Sequence, residues 1–387
     1  MVVGALGPRR LSLAPAAWPA VASRRHTHRV TEGHMALIQF ERSVETAGFF
    51  SPLAGMEFAE QTIEVRCDPL TGATAITSSE LATKEEMFFG KTDWDHAENL
   101  ARRSREGCFF CPEKVMETTP RYPEDVVEGG RLRRGRALVF PNLFPLAALH
   151  AVVTYPDRHF LRPSDFTPDL LEEGLGAAVD FAGRAERVYP DLEHLELCCN
   201  HMLPAGASLV HAHFQVFGGP SVPALVRAAW DRSAAFRREH DAPYWRTLVD
   251  EEHERGERFI AERAGCVWLV PFAPLGNREV MAVVPDAARV SALGAEQVAA
   301  LAAGLSAVLA WYEREGLSAF NFTLYGGPLG HRDEVGHPVV LRVIARSAFK
   351  PDYRGDDYFL QKQLGSELIF ESPEQIAATL RGELSQD

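Results

Sequence analysis

The sequence predicts an α+β fold made from one duplicated unit, with antiparallel strands flanked by helices. Three observations predict it. Residues 139–156 (VFPNLFPLAALHAVVTYP) align without gaps on residues 268–285 (WLVPFAPLGNREVMAVVP), and Pro145, Leu146 and Pro156 fall on Pro274, Leu275 and Pro285. A long helical stretch follows each copy, over residues 169–188 and 295–314. Each helix leads to a strand pair that begins with an asparagine, Asn200 in the first copy and Asn321 in the second. A shared order of elements is the mark of internal duplication. The expected architecture is two half-barrel-like antiparallel sheets with helices packed on them.

Residues 1–34 contain several Arg and no acid before Glu32, and they show no hydrophobic periodicity. They read as a disordered extension or added upstream sequence, with a transit peptide as the other reading. Residues 60–78 read as two short strands around a turn at Asp68-Pro69-Leu70-Thr71-Gly72. The more polar stretch 80–105 places Trp94 and Asp95 in a loop or at a helix start. Residues 137–156 give two strands around a loop. Thr167 is a good N-cap, with Pro168 at the first helical position of a helix ending near Val188. A strand follows over about residues 194–199. Residues 221–264, rich in Trp, Arg and acids, read as a helical connection. Ser372-Pro373-Glu374-Gln375 forms a capping box before a closing helix. The division expected is an extension over 1–34, an N-terminal half over 35–220, the connection over 221–264 and a second half over 265–387.

Composition narrows the function classes. The 387 residues are 46% hydrophobic and 24% charged, as in soluble globular proteins. A net charge of −13 argues against a general nucleic-acid or lipid-surface binder. No apolar run approaches the roughly 18 residues of a membrane span. Six cysteines in so long a chain are not a disulfide framework, which suits a reducing cytoplasm.

The chemistry concentrates in residues 200–220, NHMLPAGASLVHAHFQVFGGP. In a strand, His211, His213 and Gln215 share one face, and Val210, Ala212, Phe214 and Val216 share the other. The second face reads as core. The first carries two imidazoles and an amide, which are costly to bury without a task. The small-residue turn just before it, residues 204–208, can bring backbone N–H groups and a hydroxyl to an anion. An imidazole nucleophile beside an anion-binding turn suits transfer of a phosphorus group. Further upstream, Cys108 and Cys111 form a Cys-x-x-Cys knuckle, which can hold a metal or act as a redox pair.

Taken together, these motifs resemble the galactose-1-phosphate uridylyltransferase family of the histidine-triad superfamily, over roughly residue 65 to the C-terminus. The motifs are Arg66-Cys67-Asp68-Pro69-Leu70-Thr71-Gly72, Cys108-x-x-Cys111 and Phe140-Pro141-Asn142-Leu143-Phe144. To these are added the spaced set Asn200, Gly206, Ser208, His211, His213 and Gln215, and the segment 359–367. The resemblance implies a duplicated histidine-triad-like fold and a nucleotidylyltransferase. In such an enzyme a nucleoside monophosphate moves from a nucleotide sugar, or a related diphosphate, to a phosphate-bearing acceptor. It implies that His213 is the nucleophile, that Gln215 holds a phosphate oxygen, and that Asn200, Gly206 and Ser208 hold phosphates. It also implies that Asn142 contacts the nucleoside and that Gln361 and Glu367 face the sugar phosphate. Structural Zn2+ is implied on Cys108, Cys111, His159 and His211, and a homodimer is implied as well. The chain departs from the family at Leu143, where an Asp is usual, and at Gln361, where a Lys is usual. Leu341, Arg342 and Val343 stand where some members carry a second His pair, so no second metal is expected. Phosphorylase or hydrolase activity on nucleotide sugars or dinucleoside polyphosphates is the alternative, and a non-catalytic nucleotide-binding protein is the other.

Overall fold

The apolar runs of the sequence become strands whose order repeats the duplication. The structure, a computed structural model, describes the backbone of residues 26–28 and residues 36–330 and 336–384. The rest of the extension predicted over 1–34 lies outside the described residues. In chain order the strands are β1 (His26–His28), β2 (Glu41–Ser51), β3 (Glu57–Cys67), β4 (Thr74–Ser78), β5 (Leu132–Arg134), β6 (Ala137–Pro141), β7 (Leu149–Thr154) and β8 (His194–His201). They continue with β9 (His213–Gly219), β10 (Phe259–Arg263), β11 (Cys266–Leu269), β12 (Val280–Val284), β13 (Phe320–Tyr325), β14 (Val339–Ala345) and β15 (Ser366–Leu368).

Ten of these form one sheet, in the order β10-β11-β12-β14-β13-β8-β9-β7-β6-β5. Read inward from its two edges, the first copy runs β5, β6, β7, β9, β8 and the second runs β10, β11, β12, β14, β13. The duplication is therefore present. However, it makes one continuous antiparallel sheet and not two. An edge strand exposes unpaired N–H and C=O groups, and here the inner edges of the copies pair with each other. At that seam β8 and β13 run antiparallel, with Cys198 opposite Thr323. The expectation that Asn200 and Asn321 begin equivalent strands fails: Asn200 lies near the end of β8, Asn321 near the start of β13, and they face each other.

The Pro168–Val188 and Ala295–Arg314 helices pack on one face of this sheet and share its largest core cluster. Thr167 caps the first as expected, its hydroxyl accepting from the Leu170 N–H. The second is long and apolar enough, by length and composition, to cross a membrane, which corrects the expectation of no such run. It is rich in small residues and packs as a core helix, with Gly304 lying against Trp268. Gly174 plays the same part on the first helix. A Cβ added there would lie 1.9 Å from the Tyr155 hydroxyl oxygen. Gly174→Ala is expected to cost about 1–3 kcal/mol by overpacking, read as a lowered urea midpoint. An unchanged midpoint would mean that the helix moves off Tyr155 freely.

The five remaining strands form a second sheet, β1-β2-β3-β4-β15. Residues 366–368 thus leave the second half and pair in parallel with β4, Glu367 opposite Ala75. The closing helix Pro373–Leu384 follows. Its capping box forms as expected, Ser372 Oγ accepting from Gln375 N–H and Gln375 Oε1 accepting from Ser372. The connection is helical over Ala224–His240 and Tyr244–Arg255, but β10 already begins at Phe259. The second copy therefore starts before residue 265, because Phe259–Arg263 pairs with β11. Arg66, in the Arg66–Gly72 motif, is structural. Its guanidinium is buried, pairs with Glu64 and twice with Glu374, and stacks on Phe272. Asp68 closes the turn by accepting from Leu70 N–H, Thr71 N–H and the Thr71 hydroxyl.

Candidate active site and metal centre

Four side chains from three separate segments converge beside the start of β9. The ligand atoms of Cys108, Cys111, His159 and His211 all lie within 4.8 Å of one another. Cys108 Sγ is 3.4 Å from His211 Nδ1, and Cys111 Sγ lies 3.4 Å from His159 Nδ1 and 3.7 Å from His211 Nδ1. A tetrahedral zinc ion with ordinary Zn–S and Zn–N bonds sets sulfur–nitrogen edges of about 3.6 Å, so the residues fit that ion. The outer hydrogen bonds point the same way. His211 Nε2–H donates to the Tyr155 carbonyl (3.0 Å), leaving a lone pair on Nδ1. Ser104 donates its hydroxyl proton to Ala101 O, so its oxygen accepts from His159 Nε2–H, again leaving Nδ1 free to ligate. Metal-bound histidines are usually held by such partners. Burial lowers the pKa of His159 and takes that of His211 to about 4, so both rings are neutral near pH 7.

The ligand set displaces the expected strand. β9 begins at His213, and His211 lies in a bend before it, its ring turned toward the two thiols. The expected single face of His211, His213 and Gln215 therefore holds only for the last two. His211 still serves the strand through its backbone. Its carbonyl accepts from His213 Nδ1–H at 2.8 Å. That bond fixes the tautomer, leaving the lone pair of His213 on Nε2. Burial lowers the pKa of His213, which keeps the ring neutral. Phe110, inside the knuckle, packs edge-on against His211, His213 and Phe140.

Gln215 lies two residues along the same face, half-buried. His150 Nδ1 accepts from the Leu146 N–H (3.0 Å), so His150 carries its proton on Nε2 and donates it to Gln215 Oε1 at 2.8 Å. The Gln215 amide is thereby oriented with its NH2 group left to donate. Asn142 stands beside the same ring, 3.2 Å from His150 Nε2, and its Oδ1 accepts from Phe144 N–H. Gly206, at φ 84°, closes a short 3-10 turn over Leu203–Ala205, and it and Ser208 are exposed. Asn200 accepts from Asn321 Nδ2 across the seam at 2.7 Å. Asn321 in turn accepts from Arg346 Nη1 at 2.6 Å, and Arg346 pairs with Asp356 and Asp357.

Gln361 and Glu367 lie at the far end of this chain and bind each other. Gln361 Nε2 donates to Glu367 Oε1 (2.7 Å) and to the Asp356 carbonyl (3.0 Å). Burial pushes the Glu367 carboxyl up to about 7. The native state then holds this proton more tightly than the unfolded chain. Its contribution to stability is full below the unfolded value near 4.5 and is lost as pH rises through about 7. Stability is expected to fall over that window by at most about 3 kcal/mol, read as a falling thermal midpoint, and Glu367→Gln is expected to flatten the slope. A slope unchanged in Glu367→Gln would assign it to other buried carboxylates, such as Glu252 and Glu371.

Sequence reasoning missed the part played by Asn321 and Phe110; for His150 it left packing open beside a place in the pocket, and for Arg346 a phosphate contact beside the ion pairing that is found. His150 has a signal only in hindsight. The gapless alignment sets it on Glu279, and each accepts from the N–H of the equivalent leucine, Leu146 or Leu275. Val152 faces Gln215 in the first copy and Met281 faces Arg342 in the second, so the His150–Gln215 pair repeats as an ion pair between Glu279 and Arg342. His201, by contrast, is a core histidine, donating to Leu161 O and stacked on Phe320. Cys199 and Cys266 are buried, Cys198 is half-buried, and all six thiols are unpaired.

No protein-family model matches the chain. It is 26% identical over 348 residues to an uncharacterised protein of Archaeoglobus fulgidus, an overlap of 89% of this chain and 98% of the relative. It superposes on an ADP-glucose phosphorylase of Arabidopsis thaliana with bound ADP-glucose at a TM-score of 0.63 and 18% identity, over 82% of this chain and 98% of that one. A galactose-1-phosphate uridylyltransferase-like protein of the same plant gives 0.61 and 19%, over 82% and 98%. A uridylyltransferase structure gives 0.58 and 20%, over 83% and 98%. The repeated strand order, the shared seam and these superpositions agree, and the chain has the duplicated histidine-triad fold of the galactose-1-phosphate uridylyltransferase-like proteins.

Proposed function

We propose that the protein is a nucleotidyltransferase that works through a covalent nucleotidyl-His213 intermediate. The observation that carries this reading is the fixed tautomer of His213, neutral, with its lone pair on Nε2. In the first step Nε2 attacks the α-phosphorus of a nucleoside diphosphate derivative. The N–P bond forms, the bond from phosphorus to the bridging oxygen breaks, and the leaving phosphate takes that electron pair. In the second step an oxygen of a phosphate-bearing acceptor attacks the same phosphorus, and Nε2 leaves with its pair restored. Splitting one displacement in two is covalent catalysis. Gln215, oriented by His150, donates to a non-bridging oxygen whose charge grows in each transition state. The exposed turn at Gly206 and Ser208 and the amide of Asn200 hold the phosphates, and Asn142 meets the nucleoside.

Cys108, Cys111, His159 and His211 would hold a zinc ion, whose four protein ligands leave no open position and give it a structural task. His211 then fixes the nucleophile through its carbonyl while its ring is held in the metal site. We assign inorganic phosphate as the favoured acceptor over a sugar 1-phosphate. The support is Gln361, whose amide is already committed to Glu367 and Asp356, and a fold shared with an ADP-glucose phosphorylase. A cytoplasmic setting rests on the six unpaired thiols. The homodimer is supported by the exposed Phe50, Leu53 and Met56 around the turn joining β2 and β3, and light scattering tests it.

Intact-protein mass after incubation with nucleotide sugars and dinucleoside polyphosphates tests the mechanism. A nucleotide-sized adduct that phosphate discharges is the expected result. Tight nucleotide binding with no adduct from any donor would replace it with the non-catalytic reading. Two variants test the positioning role of His150: His150→Leu is expected to lower turnover about tenfold, less than loss of a transition-state donor, with little change in KM. His150→Gln, which keeps a donor, is expected to recover part of it.

A further inference from the structure

The open face of the second copy contains a cavity of about 560 Å3 that His213 and Gln215 do not line. Pseudo-symmetry puts it across the β8–β13 seam from the candidate site, on the same sheet face and reaching the seam at Asn321, since Arg342 and Glu279 occupy the register positions of Gln215 and His150. Its walls define the ligand. Tyr244, Trp245, Phe272 and Tyr325 line it, with Leu248 beside them. Such walls favour a flat ring. Arg342 lines it too, but Glu279 neutralises the guanidinium, and among the described residues the enclosed Nη2 lacks an aligned acceptor, the nearby Tyr325 hydroxyl interacting with the guanidinium without satisfying that nitrogen. A buried donor without a partner calls for an acceptor oxygen. Asp68 and Glu252 also line the cavity, and Glu252 is already paired with Arg258. With Glu279 they leave no net positive charge for a phosphate.

We propose that this cavity is a second ligand site, for an uncharged planar heteroaromatic ligand carrying a ring carbonyl, of the nucleoside or free-nucleobase class. The ring lies among the aromatic walls and its carbonyl accepts from Arg342 Nη2. The proposal does not depend on the covalent chemistry at His213. It requires only that the second copy keeps a ring-binding face after exchanging an amide–imidazole pair for an ion pair.

The test is a titration of the full chain with uridine, guanosine and UMP, followed by tryptophan fluorescence, because Trp245 is in the wall, and by equilibrium dialysis for stoichiometry. One saturable site for uridine or guanosine is expected, with UMP at least tenfold weaker. The site should persist in His213→Ala and Asn142→Ala. Ala228→Trp, which fills the cavity from its helical side, should weaken nucleoside binding more than tenfold and leave the adduct on His213 unchanged. Val226→Trp is the second variant should Ala228→Trp fail to fold. Absence of saturable nucleoside binding, or binding indifferent to these variants, would overturn the proposal. Loss of the His213 adduct in a folded Ala228→Trp would overturn it differently, making the cavity the acceptor end of the first site.

Discussion

Replacing His213 by alanine is expected to abolish the nucleotide-sized adduct and slow turnover by roughly 10⁴–10⁶-fold, the scale on which loss of a covalent nucleophile or its partners is felt. The size of the effect follows from the geometry. One hydrogen bond to the His211 carbonyl decides which nitrogen is nucleophilic, and burial keeps the ring neutral near pH 7. Among the described neighbours on that face, burial pushes the Cys198 thiol up to about 12 and the His194 ring is held by Glu196. Gln215 is an amide, and the His150 ring is committed to Leu146 through Nδ1 and to Gln215 through Nε2. His213 is almost enclosed, so its removal leaves a small hole, and the folded fraction should be checked by near-UV circular dichroism. Nucleotide binding should survive within a few-fold, because Asn142, Asn200 and the turn at Gly206 remain. An adduct that persists in His213→Ala would move the nucleophile elsewhere.

Removing one ligand of the Cys108–Cys111–His159–His211 cluster is expected to have the largest effect on stability. Cys111→Ser should cost about 4 kcal/mol or more, in the range where loss of a metal site belongs, and should reduce bound zinc from one equivalent to near zero by atomic absorption. The reason is the distribution of the ligands along the chain. Cys108 and Cys111 follow the Trp94–Arg105 helix, His159 follows β7 and His211 precedes β9. A single ion held there would tie together three segments that also meet through the apolar contacts of Ala101, Phe110, Val115, Phe160 and Val210. Activity should fall with it, because the carbonyl that fixes the His213 tautomer belongs to His211 of the cluster and Phe110 packs on the His213 ring from inside the knuckle. A chelator should reproduce both effects. Protein that is metal-free as purified, with a thermal midpoint indifferent to chelator and to Cys111→Ser, would reduce the cluster to packed thiols and imidazoles.

Much of the chain was legible before the structure because its signals are local. Thr167-Pro168 caps and starts a helix in any context, and Ser372-Pro373-Glu374-Gln375 does so again. The apolar runs of β6 and β12 are continuous because both faces of those strands are covered. The duplication was legible because equivalent loops keep equivalent residues, Pro145 and Leu146 on Pro274 and Leu275. His159 was legible through the family resemblance despite its shifted spacing, and its ring does reach Cys111 and His211.

The sequence by itself determined the α+β class, the duplication and the helix caps, which are written in periodicity and in turn chemistry. The family resemblance pointed to the four Cys and His side chains that cluster, and to His213 with Gln215 as the proposed catalytic pair. The tertiary structure alone decided the rest. The two copies fuse into one sheet because the unpaired edges of β8 and β13 meet, and no local pattern says which edges will meet. Residues 366–368 cross to the other sheet for the same reason. The strand at His213 starts late because His211 turns toward thiols a hundred residues away. The tautomers of His211, His213 and His150 depend on which carbonyl or N–H each ring finds. Those are long-range contacts, and long-range contacts are what folding adds to a sequence.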